Sequence, residues 1–234
     1  MNFLKKLSSE GYDVIACTRL KDENFQKLLN EISVKFKNKI YNINFDLKNF
    51  DETEKTLNNF ISKYEKNIDI LINNAGIIHN SLLTMTPIKV VEDLYRVNVI
   101  SLIQITQLVV KKMIKNKSGV IINISSSSAK ENNFGRSVYS STKNAIESIT
   151  KSLSKELSRF NIRVNCIAPG LVDTEMLKDN TSEKNIELTL KRISSKRIGK
   201  PGDISNLLSF LCSSESEYIN GEVISIDGGL SVDG

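Results

Sequence analysis

Gly119-Val120-Ile121-Ile122-Asn123-Ile124-Ser125, the stretch Val138 to Phe160, and Ile162-Arg163-Val164-Asn165-Cys166-Ile167-Ala168 together decide the fold class. The two short runs are apolar at nearly every position, as strands buried on both faces of a parallel sheet must be. Between them Ile146, Ile149, Leu153 and Leu157 recur at helical spacing and form one continuous apolar stripe. Strand, crossover helix and strand make a right-handed βαβ unit. Outward from this unit the alternation continues in both directions. Strands are expected at Tyr12 to Cys17, Lys39 to Phe45, Ile68 to Asn73 and Glu222 to Ile226. Helices are expected at Asp22 to Phe36, Asp51 to Tyr64, Val90 to Lys115 and Asp203 to Cys212. No Pro-rich or Gly/Ser linker and no repeat interrupts the pattern. The expectation is a single α/β domain over residues 1–234, built on a doubly wound parallel sheet with helices on both faces. Ligands of such sheets lie at the carboxyl ends of the strands, so residues with chemistry should follow the strand ends.

Composition narrows the function. The 234 residues are 40% hydrophobic and 25% charged, which supplies one core and excludes disorder as the main theme. The net charge of +5 is spread along most segments and Trp is absent, so no nucleic-acid partner is expected. Cys17, Cys166 and Cys212 are odd in number and widely spaced, the usage of a reduced, cytoplasmic chain. No apolar run approaches the ~18 residues that span a bilayer, and no membrane association or export is expected. His79 is the single histidine, which leaves a Ser-His-Asp hydrolase or a His-based metal site short of parts. The cysteines lack metal spacing, and no metal is expected.

Ser126 follows the strand that ends at Ile124, and Tyr139 comes thirteen residues later, with Lys143 one helical turn beyond it on the same face. A phenol is a poor acid or base at neutral pH, but a nearby ammonium favours the phenolate and makes the pair a tunable proton donor. A serine hydroxyl at a neighbouring strand end can hold a carbonyl oxygen beside that phenol. A Tyr and a Lys four apart on a helix carry little weight alone. Their company gives them weight: Asn73-Asn74-Ala75-Gly76 after a strand, Asn98 inside a helix, and Pro169-Gly170 after another strand. In this order and at these spacings the chain, from Met1 to its C-terminus, resembles the short-chain dehydrogenase/reductase family, with a Rossmann-like fold. The closing segment, Arg197-Ile198-Gly199-Lys200-Pro201-Gly202 and then Tyr218-Ile219-Asn220-Gly221 to Asp227-Gly228-Gly229, most resembles the branch containing bacterial 3-oxoacyl-[acyl-carrier protein] reductases.

The resemblance implies roles at the matching positions. Tyr139 is implied as the proton donor, Lys143 as its electrostatic partner and a hand on the nicotinamide ribose, and Ser126 as the carbonyl orienter. Asn98 is implied to interrupt its helix's hydrogen bonding and hold a water that relays protons to Lys143. Asp46 matches the acidic residue against the adenine ring, or caps the next helix. Asn73, Ala75 and Gly76 match the strand-end motif at the cofactor, where a glycine lets the backbone approach. Pro169, Gly170 and Val172 shape the loop over the nicotinamide, and Thr174 bonds its carboxamide or caps a helix. An acidic residue near the end of the first visible strand would accept from the ribose of NAD. This chain has Arg19 there, which tips the expectation to NADP(H), with a surface arginine as the alternative.

The family also opens with a strand and a glycine-rich phosphate loop. Here Asn2 to Gly11 reads as the last turns of the helix that should follow that loop, so about 15 to 20 residues are expected to be absent. The absent strand is the central first strand of the sheet, and its two neighbours would face an empty slot with unpaired peptide groups. The sequence-based expectation is that the start codon has been assigned too late or that the gene has lost its beginning.

Glu175 to Arg197 is polar and interrupted and resembles the family's substrate lid. Lys111, Lys112, Lys115 and Lys117, with Arg136, Lys178 and Lys191, would suit an acidic acyl carrier protein, or simply complement helix ends. The leading expectation is an NADPH-dependent carbonyl reductase, best a 3-oxoacyl-thioester reductase of fatty-acid synthesis. The alternatives are an NAD(P)-dependent dehydrogenase of a sugar or other secondary alcohol, and a non-catalytic association subunit. The helices carrying Asn98 and Tyr139 match those that build the family's dimers and tetramers.

Overall fold

The computed structural model describes residues 2–131 and 133–231. They form two compact units, Met1–Lys66 and Asn67–Gly234.

In the first unit, α1 (Asn2–Ser9) precedes β1 (Val14–Thr18), α2 (Glu23–Phe36), β2 (Ile40–Asn44) and α3 (Phe50–Lys63). The expected strands and helices appear in order, and α1 occupies the segment read as helical turns. Helix starts are set by polar caps: Asp22 accepts from the backbone N–H groups of Asn24 and Phe25, and Asn49 accepts from that of Glu52. β1 and β2 run parallel, with Val14 opposite Ile40 and Thr18 opposite Asn44. Leu29, Ile32, Phe45 and Leu57 are the unit's buried apolar residues, with Leu7 from α1. Asn38 ties α1 to the second strand's start, donating to Ser8 Oγ (3.0 Å) and the Tyr12 carbonyl (2.5 Å).

In the second unit, β3 (Ile70–Asn73) is followed by a long helical rod, Ile88 to Asn116. The rod comprises α4 (Ile88–Tyr95), one wide π turn (Arg96–Ile100) and α5 (Ser101–Asn116). Then come β4 (Gly119–Ile124), the short α6 (Ser128–Glu131), α7 (Ser137–Leu157) and β5 (Ile162–Pro169). α8 (Glu175–Asn180) and α9 (Glu183–Arg192) make up the segment expected as a lid, and α10 (Pro201–Cys212) and β6 (Val223–Ile226) close the unit. The sheet is parallel throughout, in the order β3-β4-β5-β6. β4 and β5 are its most buried strands, with Ile121, Ile122, Val164, Cys166 and Ile167 fully enclosed. α7 packs on β4 and β5, α5 on β3, and α10 on β4 and β5, bringing Leu208 and Leu211 into the core.

The strands therefore make two parallel sheets rather than one. Among the described residues β1 pairs only with β2, and β3 only with β4. These are the two strands expected to flank the central first strand of the family's sheet. Among the described residues one helix, the Ile88–Asn116 rod, is long and apolar enough to cross a bilayer, which the sequence expectation did not include. Its Leu94, Val97, Val99, Leu102, Leu108, Val109 and Met113 are instead buried within the unit. Cys166 and Cys212 are buried and Cys17 is exposed; all three are free thiols.

Candidate active site

Parallel register brings three loops to one end of the second unit's sheet. Asn73 lies opposite Asn123, Ile124 opposite Ile167, and Pro169 opposite Ile226. The segments after β3, β4 and β5 therefore emerge side by side, and α7 returns across them carrying Tyr139 and Lys143.

Tyr139 and Lys143 are 7% and 4% exposed. The Lys143 Nζ sits 5.8 Å from the centroid of the Tyr139 ring and donates to the Ile124 carbonyl at 2.9 Å. Ser126, half-buried just past β4, lies near enough to the phenol to lower its pKa, and accepts from the Ser128 backbone N–H at 3.2 Å. The serine, phenol and ammonium thus meet at one place. Their electrostatics differ from the sequence expectation. Burial pushes the Tyr139 phenol above its usual value; Ser126 and the Arg136 charge only partly oppose it. Burial also pulls the Lys143 ammonium down to about 8. Desolvation dominates because both groups lie inside the unit, and Lys143 is not among the groups that lower the phenol's pKa. The phenol is consequently held neutral, as a donor.

Asn98 is 1% exposed at the centre of the π turn, so the helix's regular bonding is interrupted at that residue. Its Oδ1 accepts from the Ile77 N–H (2.8 Å), and its Nδ2 donates to the Ile77 carbonyl (2.9 Å) and to Thr142 Oγ1 (3.1 Å). The loop after β3 is thereby pinned to α7. At Gly76 an added Cβ would stand 3.3 Å from Asn98 Oδ1 and 3.6 Å from Lys143 Nζ. The bare backbone leaves a cradle beside an ammonium with N–H bonds to spare, which suits the ribose hydroxyls of a nicotinamide dinucleotide.

The family model adh_short_C2, described as Enoyl-(Acyl carrier protein) reductase, matches residues 3–231. The chain is 36% identical over 225 residues to a 3-oxoacyl-[acyl-carrier-protein] reductase FabG of Thermotoga maritima, covering 96% of this chain and 90% of that one. It is 35% identical over 229 residues to the FabG of Aquifex aeolicus, covering 97% and 90%. The chain belongs to the short-chain dehydrogenase/reductase family. Its fold matches that of a gluconate 5-dehydrogenase from Burkholderia cenocepacia, solved with NADP and tartrate. The TM-score is 0.92 at 26% identity, over 99% of this chain and 90% of that one. The chain is a Rossmann-like, NAD(P)-dependent oxidoreductase acting on CH–OH groups.

The other positions that the family resemblance singled out divide by local structure. Asn73 turns its amide inward, donating to Thr106 Oγ1 (3.1 Å) and Asn123 Oδ1 (2.9 Å), while Ala75 is exposed. Pro169 ends β5, and its carbonyl accepts from Ser127 N–H at 2.8 Å. Gly170 lies so close to Asp227 that a Cβ would come within 2.6 Å of its Cβ, so packing alone demands glycine there. Val172 bridges Gly199, and Thr174 caps α8 by accepting from the Leu177 N–H at 3.3 Å. In the first unit Arg19 is exposed in a turn after β1, fixed by the Asn44 amide, which donates to Thr18 Oγ1 (2.6 Å) and the Leu20 carbonyl (3.1 Å). Asp46 forms a turn onto the Lys48 N–H (2.9 Å) and leaves the capping of α3 to Asn49. A cleft of about 400 Å³ in this unit, lined by Lys39, Tyr41, Phe60 and Tyr64, opens near the amino end of β2, the end away from the ligand sites of parallel sheets.

Two pairs were absent from the sequence expectations, and Arg136 was expected only as part of a basic docking surface. Ser125 Oγ lies 2.9 Å from the buried Glu147 carboxylate and 3.2 Å from the Lys143 carbonyl, anchoring the strand end that carries Ser126. Glu131, with a side chain 5% exposed, pairs with Arg192 of α9 at 3.0 Å and ties the lid segment to α6. Arg136 precedes α7 and donates from Nη1 to Ser128 Oγ at 3.1 Å. Glu147 four residues past Lys143, on the face that bears the motif, was the one legible hint.

Proposed function

We propose that this chain reduces a ketone to a secondary alcohol with NADPH, the substrate being a 3-oxoacyl group carried as a thioester on acyl carrier protein. The observation that carries this reading is the buried, neutral Tyr139 phenol beside Ser126, with the Lys143 ammonium 5.8 Å from its ring. The ketone oxygen would accept from the Ser126 and Tyr139 hydroxyls together. A reduced nicotinamide, when bound, supplies the hydride to the carbonyl carbon. The carbonyl π pair moves to oxygen and takes the Tyr139 proton, which yields the alcohol and leaves a phenolate beside the Lys143 cation. A phenol with a raised pKa keeps its proton until charge develops on the substrate oxygen. We assign the relay of the replacement proton to Lys143 and to the π turn at Asn98. Gly76 and Lys143 would hold the nicotinamide ribose, with Asn73 and Ala75 shaping the strand end; Pro169, Gly170, Val172 and Thr174 would form the loop over the ring.

Arg19 and Asp46 are proposed to contact the adenosine half, Arg19 through the 2′-phosphate, which favours NADPH over NADH. The exposed Ile88, Ile100 and Ile103 on the Ile88–Asn116 rod support a homodimer or homotetramer built through that rod and α7. We read residues 1–234 as one catalytic domain at work in the cytoplasm.

The deciding assay is NADPH consumption with acetoacetyl thioester. Wild type is expected to turn over, and Tyr139→Phe to lose at least 10²-fold in kcat. Arg19→Glu should narrow the preference for NADPH over NADH. Turnover retained in Tyr139→Phe ends this reading; turnover on sugar acids in place of the thioester moves the substrate to the gluconate dehydrogenase type.

A further inference from the structure

The loop between α6 and α7 carries two charges, and only one of them is balanced by protein. Glu131 at its start is taken by Arg192 of the lid segment. Arg136 at its end is half-buried, and among the described residues no carboxylate pairs with it. Its Nη1 is held by Ser128 Oγ at 3.1 Å, and the Ser128 backbone N–H in turn holds Ser126 Oγ at 3.2 Å. The loop is fixed from outside as well, since the Gly135 carbonyl accepts from the Ser81 N–H at 2.9 Å. The guanidinium is thus positioned two hydrogen bonds from the serine that orients the carbonyl and three residues before the phenol that protonates it. Of its five N–H groups one is committed to Ser128, and the fork geometry of the remainder suits an electron-rich oxygen. A cation kept half-buried with no protein anion is costly unless a ligand completes it.

We propose that Arg136 is a substrate-orienting residue that donates to a second oxygen, two carbons from the ketone being reduced: the thioester carbonyl of a 3-oxoacyl substrate. The inference rests on the reductase reading above and refines it. Ser126 and Tyr139 hold the ketone oxygen, and Arg136 fixes which of the two carbonyls occupies that place. A charge-assisted bond of this kind distinguishes a 1,3-dicarbonyl from a lone ketone, because the lone ketone leaves the guanidinium unanswered.

The test compares kcat/KM for acetoacetyl thioester and for a simple cyclic monoketone, in wild type, Arg136→Gln and Arg136→Lys, with melting temperature and NADPH affinity measured alongside. Gln retains a donor for Ser128 but no charge. The expected result is a loss in Arg136→Gln at least tenfold greater on the thioester than on the monoketone, partly restored in Arg136→Lys, at matched NADPH affinity. An equal loss on both ketones, with a displaced pH profile, would mean that Arg136 acts only through Tyr139 and would overturn the proposal. No loss on either would overturn it as well. If wild type takes the thioester and refuses the monoketone, Arg136→Gln must lose thioester turnover without losing NADPH affinity; a parallel loss of both strikes the proposal. Wild type inactive on both ketones defeats the reductase reading itself, a result distinct from all of these.

Discussion

At the scale of single residues, Lys143 has the largest consequence. Its ammonium is buried and its pKa falls to about 8, well below that of an exposed lysine. The folded state binds this proton more weakly than the unfolded chain does. The penalty is therefore fully present below pH 8 and is relieved as pH rises from about 8 to about 10.5. It is of the order of 3 kcal/mol. Lys143→Met should accordingly raise the melting temperature at pH 7 while abolishing turnover, and the gain should fade by pH 10. A fall in melting temperature at pH 7 would show that the bond to Ile124 outweighs the desolvation cost. The motif that names this lysine was legible because four-residue spacing on a helix is a local property. The direction of the tyrosine's shift was not, since it depends on how much protein encloses both groups. The same limit hid Glu147 behind Ser125 and Arg192 on Glu131, pairs separated by 22 and 61 residues in the chain. For Thr174, where the sequence left a helix cap and a cofactor contact both open, the local geometry displays the cap.

At the scale of elements, the six strands and the long helices were readable in order, because apolar periodicity changes from buried runs to helical stripes at each boundary, whereas the short polar helices α6, α8 and α9 carry no apolar stripe and were not. Helix ends moved by a residue or two where caps intervened, as at Asn49, which starts α3 one residue early. The division of the sheet has a measurable outcome. β1 and β2 form a two-stranded ladder, which is marginal by itself, whereas β4 and β5 each have partners on both edges. Amide hydrogens of Val14–Thr18 and Ile40–Asn44 should therefore exchange well before those of Gly119–Ile124 and Ile162–Pro169. Equal protection in a peptide-resolved exchange experiment would show that the two-stranded ladder gains support beyond its own hydrogen bonds.

At the scale of the whole molecule, cofactor binding must register as stability. At a hundredfold excess over its dissociation constant, NADPH adds about 2.7 kcal/mol, a rise of roughly 5 to 10 °C in melting temperature for a chain of this length. A cooperative melt indifferent to NADPH would instead favour a non-catalytic association role. A further consequence lies in the ion pair between Glu131 and Arg192. The carboxylate is almost wholly enclosed while the guanidinium is 55% exposed, so any outward swing of α9 strips the anion of its counter-charge before water can reach it. The first step of any such separation would then be the costly one, closer to a snap fastener than to a spring.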